Sequence, residues 1–249
     1  MKLINKFKSP NFNTRRYKKI SFIIIHYTAL ESCEKAISYL CDKKNKVSCH
    51  FLISQNGDIY NLVNLQHRAW HAGISFWNDQ HDLNSISIGI ELDYSFNKLN
   101  DKYSKKMINS LIILIKKIKN KYKINNLNIL GHSDIAPFRK KDPGRKFPWN
   151  KLQNENISFK PKIIKNIDHN IIIRWFKKNK ITSLKKISLF IFGYIGYDTF
   201  GLNNYRKSYR QLLLAYQSHY LQKNVSGKID KVTFKFLINH FLNKLLTKS

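Results

Sequence analysis

At 249 residues, 43% of them hydrophobic, the chain is long enough for one large domain or two modest ones and too apolar for wholesale disorder. Its 45 Lys and Arg against 15 Asp and Glu give a formal charge of +30, which points to a polyanionic partner: nucleic acid, an anionic membrane surface or an anionic cell wall. The Lys residues are spread along a chain saturated in Lys, Asn and Ile, so compositional bias accounts for much of that charge. The three cysteines, Cys33, Cys41 and Cys49, lack C-x-x-C spacing and argue against a disulfide framework or a thiolate zinc knuckle.

Charged residues break up Met1 to Pro10 before an apolar core can form, so a secretory signal is not expected there. No apolar run approaches the length of a membrane span. Ser21 to His26 is β-branched and apolar, the pattern of a central strand covered on both faces. Glu31 to Asp42 reads as a helix. His50 to Ile53 and Asp58 to Val63 flank Ser54-Gln55-Asn56-Gly57, and Asn-Gly between apolar runs predicts a hairpin. Ser85 to Leu92 alternates as a strand, with Ile86, Ile88 and Ile90 on one face and Ser85, Ser87, Gly89 and Glu91 on the other. Asp101 to Lys121 carries a helical apolar stripe, and Leu127 to Leu130 is a short strand leading into Gly131-His132. The expectation is an α/β fold, a mixed central sheet flanked by helices, followed by a small all-α domain. The divisions are an N-terminal extension (1–20), a mixed α/β domain (21–150), a linker (151–168) containing Pro161, and a helical domain (169–249) with helices over Tyr205 to Leu221 and Ile229 to Leu245.

Two imidazoles and one carboxylate stand out. His26 ends the Ile23-Ile24-Ile25 run, and His132 follows Asn128-Ile129-Leu130-Gly131 in the same way. Open α/β sheets place ligand sites at strand C-termini. Asp142 lies ten residues on, restricted by Pro143 and followed by Gly144. Two His and one Asp can hold Zn²⁺ and leave one position for water. Singly, each residue has a plainer reading: a hydrogen-bonded rim His, a turn-capping Asp, and for Glu91 a solvent-facing strand residue.

Several segments together resemble the type 2 N-acetylmuramoyl-L-alanine amidase family, which is related to the peptidoglycan recognition proteins. They are Ile25-His26-Tyr27-Thr28-Ala29, Val47-Ser48-Cys49-His50-Phe51-Leu52-Ile53, Trp70-His71-Ala72-Gly73, Ser87-Ile88-Gly89-Ile90-Glu91-Leu92, and Gly131-His132-Ser133-Asp134-Ile135-Ala136-Pro137 through Asp142-Pro143-Gly144 to Phe147-Pro148-Trp149. The likeness is strongest to the AmiD-type branch, a cousin of the AmpD-type. It implies one zinc ion per chain on His26, His132 and Asp142, with Glu91 as catalytic carboxylate and Lys140 as oxyanion donor. It also implies hydrolysis of the amide between the lactyl group of N-acetylmuramic (or anhydro-muramic) acid and L-alanine. Recognition proteins often carry Cys where Asp142 stands. Phage-type members carry Tyr at the place of Cys49, so the proton transfer falls to Glu91. His50, His71 and Trp149 are candidate substrate contacts.

In the tail, Ala215-Tyr216-Gln217 followed by Gly227-Lys228-Ile229-Asp230-Lys231-Val232-Thr233 resembles the end of a three-helix peptidoglycan-binding domain. The alternative is that these residues are simply core and helix-start residues. The expected partner is peptidoglycan or its muropeptide fragments, met by a monomer. A non-catalytic wall binder is the alternative function. A nucleic-acid binder is suggested by charge alone, since no helix-turn-helix, RNA-binding signature or zinc finger is visible. The compartment stays open: AmiD-type relatives belong to the envelope and AmpD-type enzymes act in the cytoplasm.

Overall fold

In chain order, the strands are β1 (Leu3–Ile4), β2 (Phe12–Thr14), β3 (Phe22–Tyr27), β4 (Phe51–Ile53), β5 (Ile59–Asn61), β6 (His67–Ala69), β7 (Ser87–Leu92) and β8 (Ile129–Gly131). The helices are α1 (Cys33–Cys41), α2 (Leu83–Ile86), α3 (Lys105–Tyr122), α4 (His132–Ile135), α5 (Trp149–Asn154), α6 (His169–Lys178), α7 (Leu184–Ile195), α8 (Tyr209–Tyr220) and α9 (Lys231–Leu246). This is a computed structural model that describes residues 2–17, 19–95, 102–164, 168–200, 202 and 208–246. The main sheet has the order β1-β5-β4-β7-β3-β8, parallel except for the β4–β5 hairpin, and β2 pairs antiparallel with β6.

β3 is hydrogen-bonded on both sides, to β7 and β8, which explains its unbroken apolar run. Its alternate residues enter different cores. Ile23 and Ile25 join Ile88, Ile90 and the α3 stripe of Met107, Leu111, Ile115 and Ile118. Phe22 and Ile24 join Leu130 and the apolar residues of the last four helices, including Phe176, Ile191, Leu213, Tyr216 and Leu237. Thus the helices after residue 168 share an apolar cluster with the second face of the sheet.

Several boundaries depart from the sequence pattern, among them Leu127 and Asn128, expected in a strand but wound into a 3-10 turn, and Ile229 and Asp230, which precede α9. Ser85 and Ile86, expected in a strand, belong to α2. Local polar bonds hold that turn: the Ser85 hydroxyl donates to Asp82 at 2.7 Å, and Arg68 clamps the same carboxylate at 2.8 Å. α3 starts at Lys105 because Ser104 caps it, its hydroxyl accepting from Met107 N–H at 3.0 Å; Asp101, the expected start, lies outside the described residues. α8 starts at Tyr209, and Tyr205 likewise lies outside them.

The Gln217 side chain staples the α8–α9 turn. It donates to Thr233 Oγ1 at 2.9 Å and Lys228 O at 3.0 Å, and accepts from Gly227 N–H at 2.7 Å. Gly227 has φ +67°, a region that favours glycine. Asp230 caps α9 by accepting from Thr233 N–H at 2.7 Å. Among the described residues, no helix is long and apolar enough to cross a membrane.

Candidate metal centre and catalytic cleft

Parallel pairing of β3 with β8 brings two chain-distant histidines together. His26 is the penultimate residue of β3, and His132 opens α4 at the exit of β8. The Ser133 N–H donates to the Asp142 carbonyl at 2.8 Å, which folds the Asp142 loop back over the same strand ends. The result is a buried group of three potential metal ligands. His26 Nδ1 lies 2.9 Å from His132 Nδ1 and 3.1 Å from Asp142 Oδ2, and His132 Nδ1 lies 3.0 Å from that same oxygen. Ligands about 2.05 Å from a tetrahedral zinc stand roughly 3.3 Å apart, so a modest outward relaxation fits the ion.

The donor chemistry agrees. His132 Nε2 is 3.0 Å from Ala72 O. A carbonyl only accepts, so that nitrogen carries the proton and Nδ1 offers a lone pair. The lone pair faces a carboxylate oxygen and the second imidazole, a donor set that suits a cation between the three. Burial, then the neighbouring His132, pull the His26 pKa from 6.5 down to about 4, so His26 is neutral near pH 7 and able to ligate. Its Nε2 is 3.0 Å from His71 Nδ1, and His71 Nε2 is 3.1 Å from Ser87 Oγ.

A cavity of about 490 Å³ opens beside this group, lined by Tyr27, His71, Glu91, His132, Lys140 and Asp142 among others. Glu91 sits on β7 directly across the ladder from His26. Its Oε2 is buried and has no hydrogen-bond partner among the described residues. Burial, then the Asp142 charge, hold the Glu91 carboxyl well above its usual range, with Lys140 opposing. Lys140 is half-buried.

The other sequence candidates divide. His71 lines the cavity but spends both ring nitrogens on His26 and Ser87. His50 and Trp149 do not line it. His50 is fully buried, its Nδ1 accepting from Gly89 N–H at 3.0 Å. Trp149 is buried with its ring stacked on His219 at 3.6 Å. Cys49 is buried, with its thiol against Phe51 O.

Sequence reasoning missed a support layer. The Arg139 guanidinium donates to Ala72 O at 2.7 Å and Ile74 O at 2.8 Å, strapping the loop that receives His132. The Asn84 side chain accepts from His71 N–H and Ala72 N–H at 3.0 and 2.8 Å. Asp134, fully buried, accepts from Gly131 N–H at 2.7 Å, Tyr197 O–H at 2.6 Å and His219 Nδ1–H at 2.7 Å. Asp134 and Asn84 stand near motif residues and could have been suspected. Tyr197 and His219 carry no sequence signal, being 63 and 85 residues from their partner.

The sequence profile of a family described as N-acetylmuramoyl-L-alanine amidase matches residues 16–145. The N-acetylmuramoyl-L-alanine amidase AmiD of Escherichia coli (strain K12) is 39% identical over 158 residues, 58% of this chain and 56% of its own length. The chain thus matches little more than half the length of that relative. The 1,6-anhydro-N-acetylmuramyl-L-alanine amidase AmpD of Haemophilus influenzae is 35% identical over 161 residues, 57% of this chain and 86% of its own length. Among solved structures, the complex of E. coli AmiD with the substrate anhydro-N-acetylmuramic acid-L-Ala-D-gamma-Glu-L-Lys has a TM-score of 0.74 at 29% identity, covering 93% of this chain and 90% of that one. AmpDh3 of Pseudomonas aeruginosa in complex with anhydromuramic pentapeptide also has a TM-score of 0.74 at 29% identity, covering 94% and 95%. The mixed α/β fold with helices on both sheet faces is the one these structures share.

Proposed function

This chain belongs to the N-acetylmuramoyl-L-alanine amidase family, and from that membership and the cleft geometry we propose that it hydrolyses the amide joining the lactyl group of N-acetylmuramic or anhydro-muramic acid to L-alanine, in peptidoglycan turnover or recycling. One observation carries the reading. Three ligand-type atoms of His26, His132 and Asp142 converge, and His132 and Asp142 line one cavity with Glu91, whose buried Oε2 has no hydrogen-bond partner among the described residues.

We assign His26, His132 and Asp142 as the ligands of one zinc ion. When bound, zinc supplies Lewis-acid polarisation and lowers the pKa of a water towards about 7. Glu91 takes the proton from the attacking water and returns it to the leaving amine of L-alanine; a carboxyl held above its usual range is suited to that exchange. Lys140 donates to the oxygen that becomes negative as the amide carbon is attacked, a contribution of about 3–4 kcal/mol in other hydrolases. The 169–249 segment is proposed to act as a wall-binding module joined to the 21–150 catalytic part through 151–168. It would raise the local concentration of the cleft on an insoluble polymer.

The test is hydrolysis of an anhydro-muropeptide by the purified, zinc-loaded protein, with the free peptide detected by mass spectrometry. Release of a peptide with an L-alanine N-terminus is the expected result. Substrate binding without release would leave a non-catalytic wall binder in its place.

A further inference from the structure

His26 can ligate through Nδ1 only if its other nitrogen holds the proton. An isolated imidazole has no strong reason to choose that tautomer, so something next to it must impose it. The hydrogen bonds of the neighbouring turn run in one direction. Leu83 O is a carbonyl and only accepts, so the Ser87 hydroxyl, 2.5 Å away, donates to it. Ser87 Oγ then meets His71 Nε2 at 3.1 Å as an acceptor, which places the His71 proton on Nε2. That leaves His71 Nδ1 bare, and it accepts from His26 Nε2 at 3.0 Å. His26 Nδ1 is thereby left as the lone pair facing His132 and Asp142.

We propose that Leu83 O, Ser87 and His71 form a one-way relay that fixes the ligating tautomer of His26, making His71 and Ser87 positioning residues of the metal centre rather than substrate contacts. Two further features are built around it. Asn84 accepts from the His71 and Ala72 N–H groups and holds the imidazole in place. Gly89 faces the ring so closely that an added Cβ would come within 2.4 Å of His71 Cγ. The alternation Ser87, Gly89, Glu91 on one face of β7 therefore supplies an acceptor, a gap and the cleft carboxylate in turn. α2 carries Leu83 O, which accepts from the Ser87 hydroxyl, and Asn84, which accepts from the His71 backbone N–H.

The inference rests on the metal-binding part of the proposed function, and its test reads zinc affinity by chelator competition rather than turnover. His71→Leu removes the acceptor while keeping bulk, and weakens zinc binding about 10- to 100-fold, the usual effect of losing an outer partner of a ligating histidine. His71→Asn retains an acceptor oxygen near the Nδ1 position and recovers most of the affinity. Ser87→Ala, which unties the relay one bond further out, weakens binding by less than His71→Leu. Melting of each metal-free variant reports whether it folds. Equal zinc affinity for wild type, His71→Leu and Ser87→Ala would overturn the relay, as would an equal loss in the Leu and Asn variants. If His71→Leu does not fold, Ser87→Ala decides alone: several-fold weaker binding supports the relay and unchanged binding overturns it. A wild-type chain that binds no zinc would instead sink the metal reading itself, and a chain that binds zinc normally but releases no peptide would sink only the amidase reading.

Discussion

Asp134→Ala tests how firmly the helical tail and the metal loop are locked together. The lost carboxylate accepts from a backbone N–H, a phenol and an imidazole, all at 2.6–2.7 Å, and Asp134, Tyr197 and His219 are all essentially excluded from solvent. Hydrogen bonds to a charged group are each worth about 1.5–3 kcal/mol, and the variant leaves three buried donors facing a methyl group. Simple addition gives about 4.5–9 kcal/mol; the donors share one acceptor, so the sum overshoots and we take about 4 kcal/mol, just under that range. For a chain of this size that is a fall in melting temperature of about 8–16 °C. The assay is thermal unfolding by circular dichroism with chelator present, so that metal linkage adds nothing. Tyr197→Phe, which removes one donor and leaves two, lowers the melting point by about half as much or less. The double variant falls little below Asp134→Ala alone, because the phenol has already lost its acceptor. A shift under about 3 °C for Asp134→Ala, or full additivity in the double variant, would refute the idea that this carboxylate joins tail and loop.

Three further outcomes are expected. Glu91→Gln retains stoichiometric zinc by elemental analysis and loses about 10²–10⁴-fold in turnover; wild-type turnover would remove Glu91 from the chemistry. Burial, then the Arg15 guanidinium, lower the His50 pKa from 6.5 to about 3. The unfolded chain therefore takes up that proton first, and the stability contributed by neutral His50 above pH 6.5 is lost as pH falls towards 3, by about 2 kcal/mol at pH 5. In His50→Asn, whose amide oxygen can still accept from Gly89 N–H, denaturant unfolding of the metal-free protein loses less stability between pH 6.5 and 5; an unchanged pH profile contradicts the assignment. Gln217→Leu leaves the Gly227 N–H without its side-chain acceptor and lowers stability by about 1–3 kcal/mol. Loss of wall binding at unchanged stability would point instead to a direct contact.

The parts of the fold legible in the sequence were those with local periodicity. Ile23-Ile24-Ile25 announces a strand buried on both faces, Asn56-Gly57 a hairpin, and the Met107 to Ile118 spacing a helix on the sheet. The start of β7 was misplaced because Ser85 and Ile86 fit the same alternation, while the Asp82, Arg68 and Ser85 bonds that wind them into α2 depend on residues up to 17 positions away. In the site, His26 and His132 were visible because strand ends place side chains in clefts. Asp142 became visible only in company, since an Asp before Pro is ordinarily a turn residue. Arg139, Tyr197 and His219 stayed hidden because their work is tertiary: each holds backbone or a side chain from a distant segment, and no local pattern encodes that.

β3 has a ladder on either side and apolar residues on both faces, so the segment carrying His26 belongs to the part of the molecule that opens last. The proposed ligand His26 is therefore carried on a scaffold expected to stay folded when a bound ion is stripped. Cobalt or cadmium introduced after stripping should find the same scaffold, which makes the protein amenable to spectroscopic substitution without refolding.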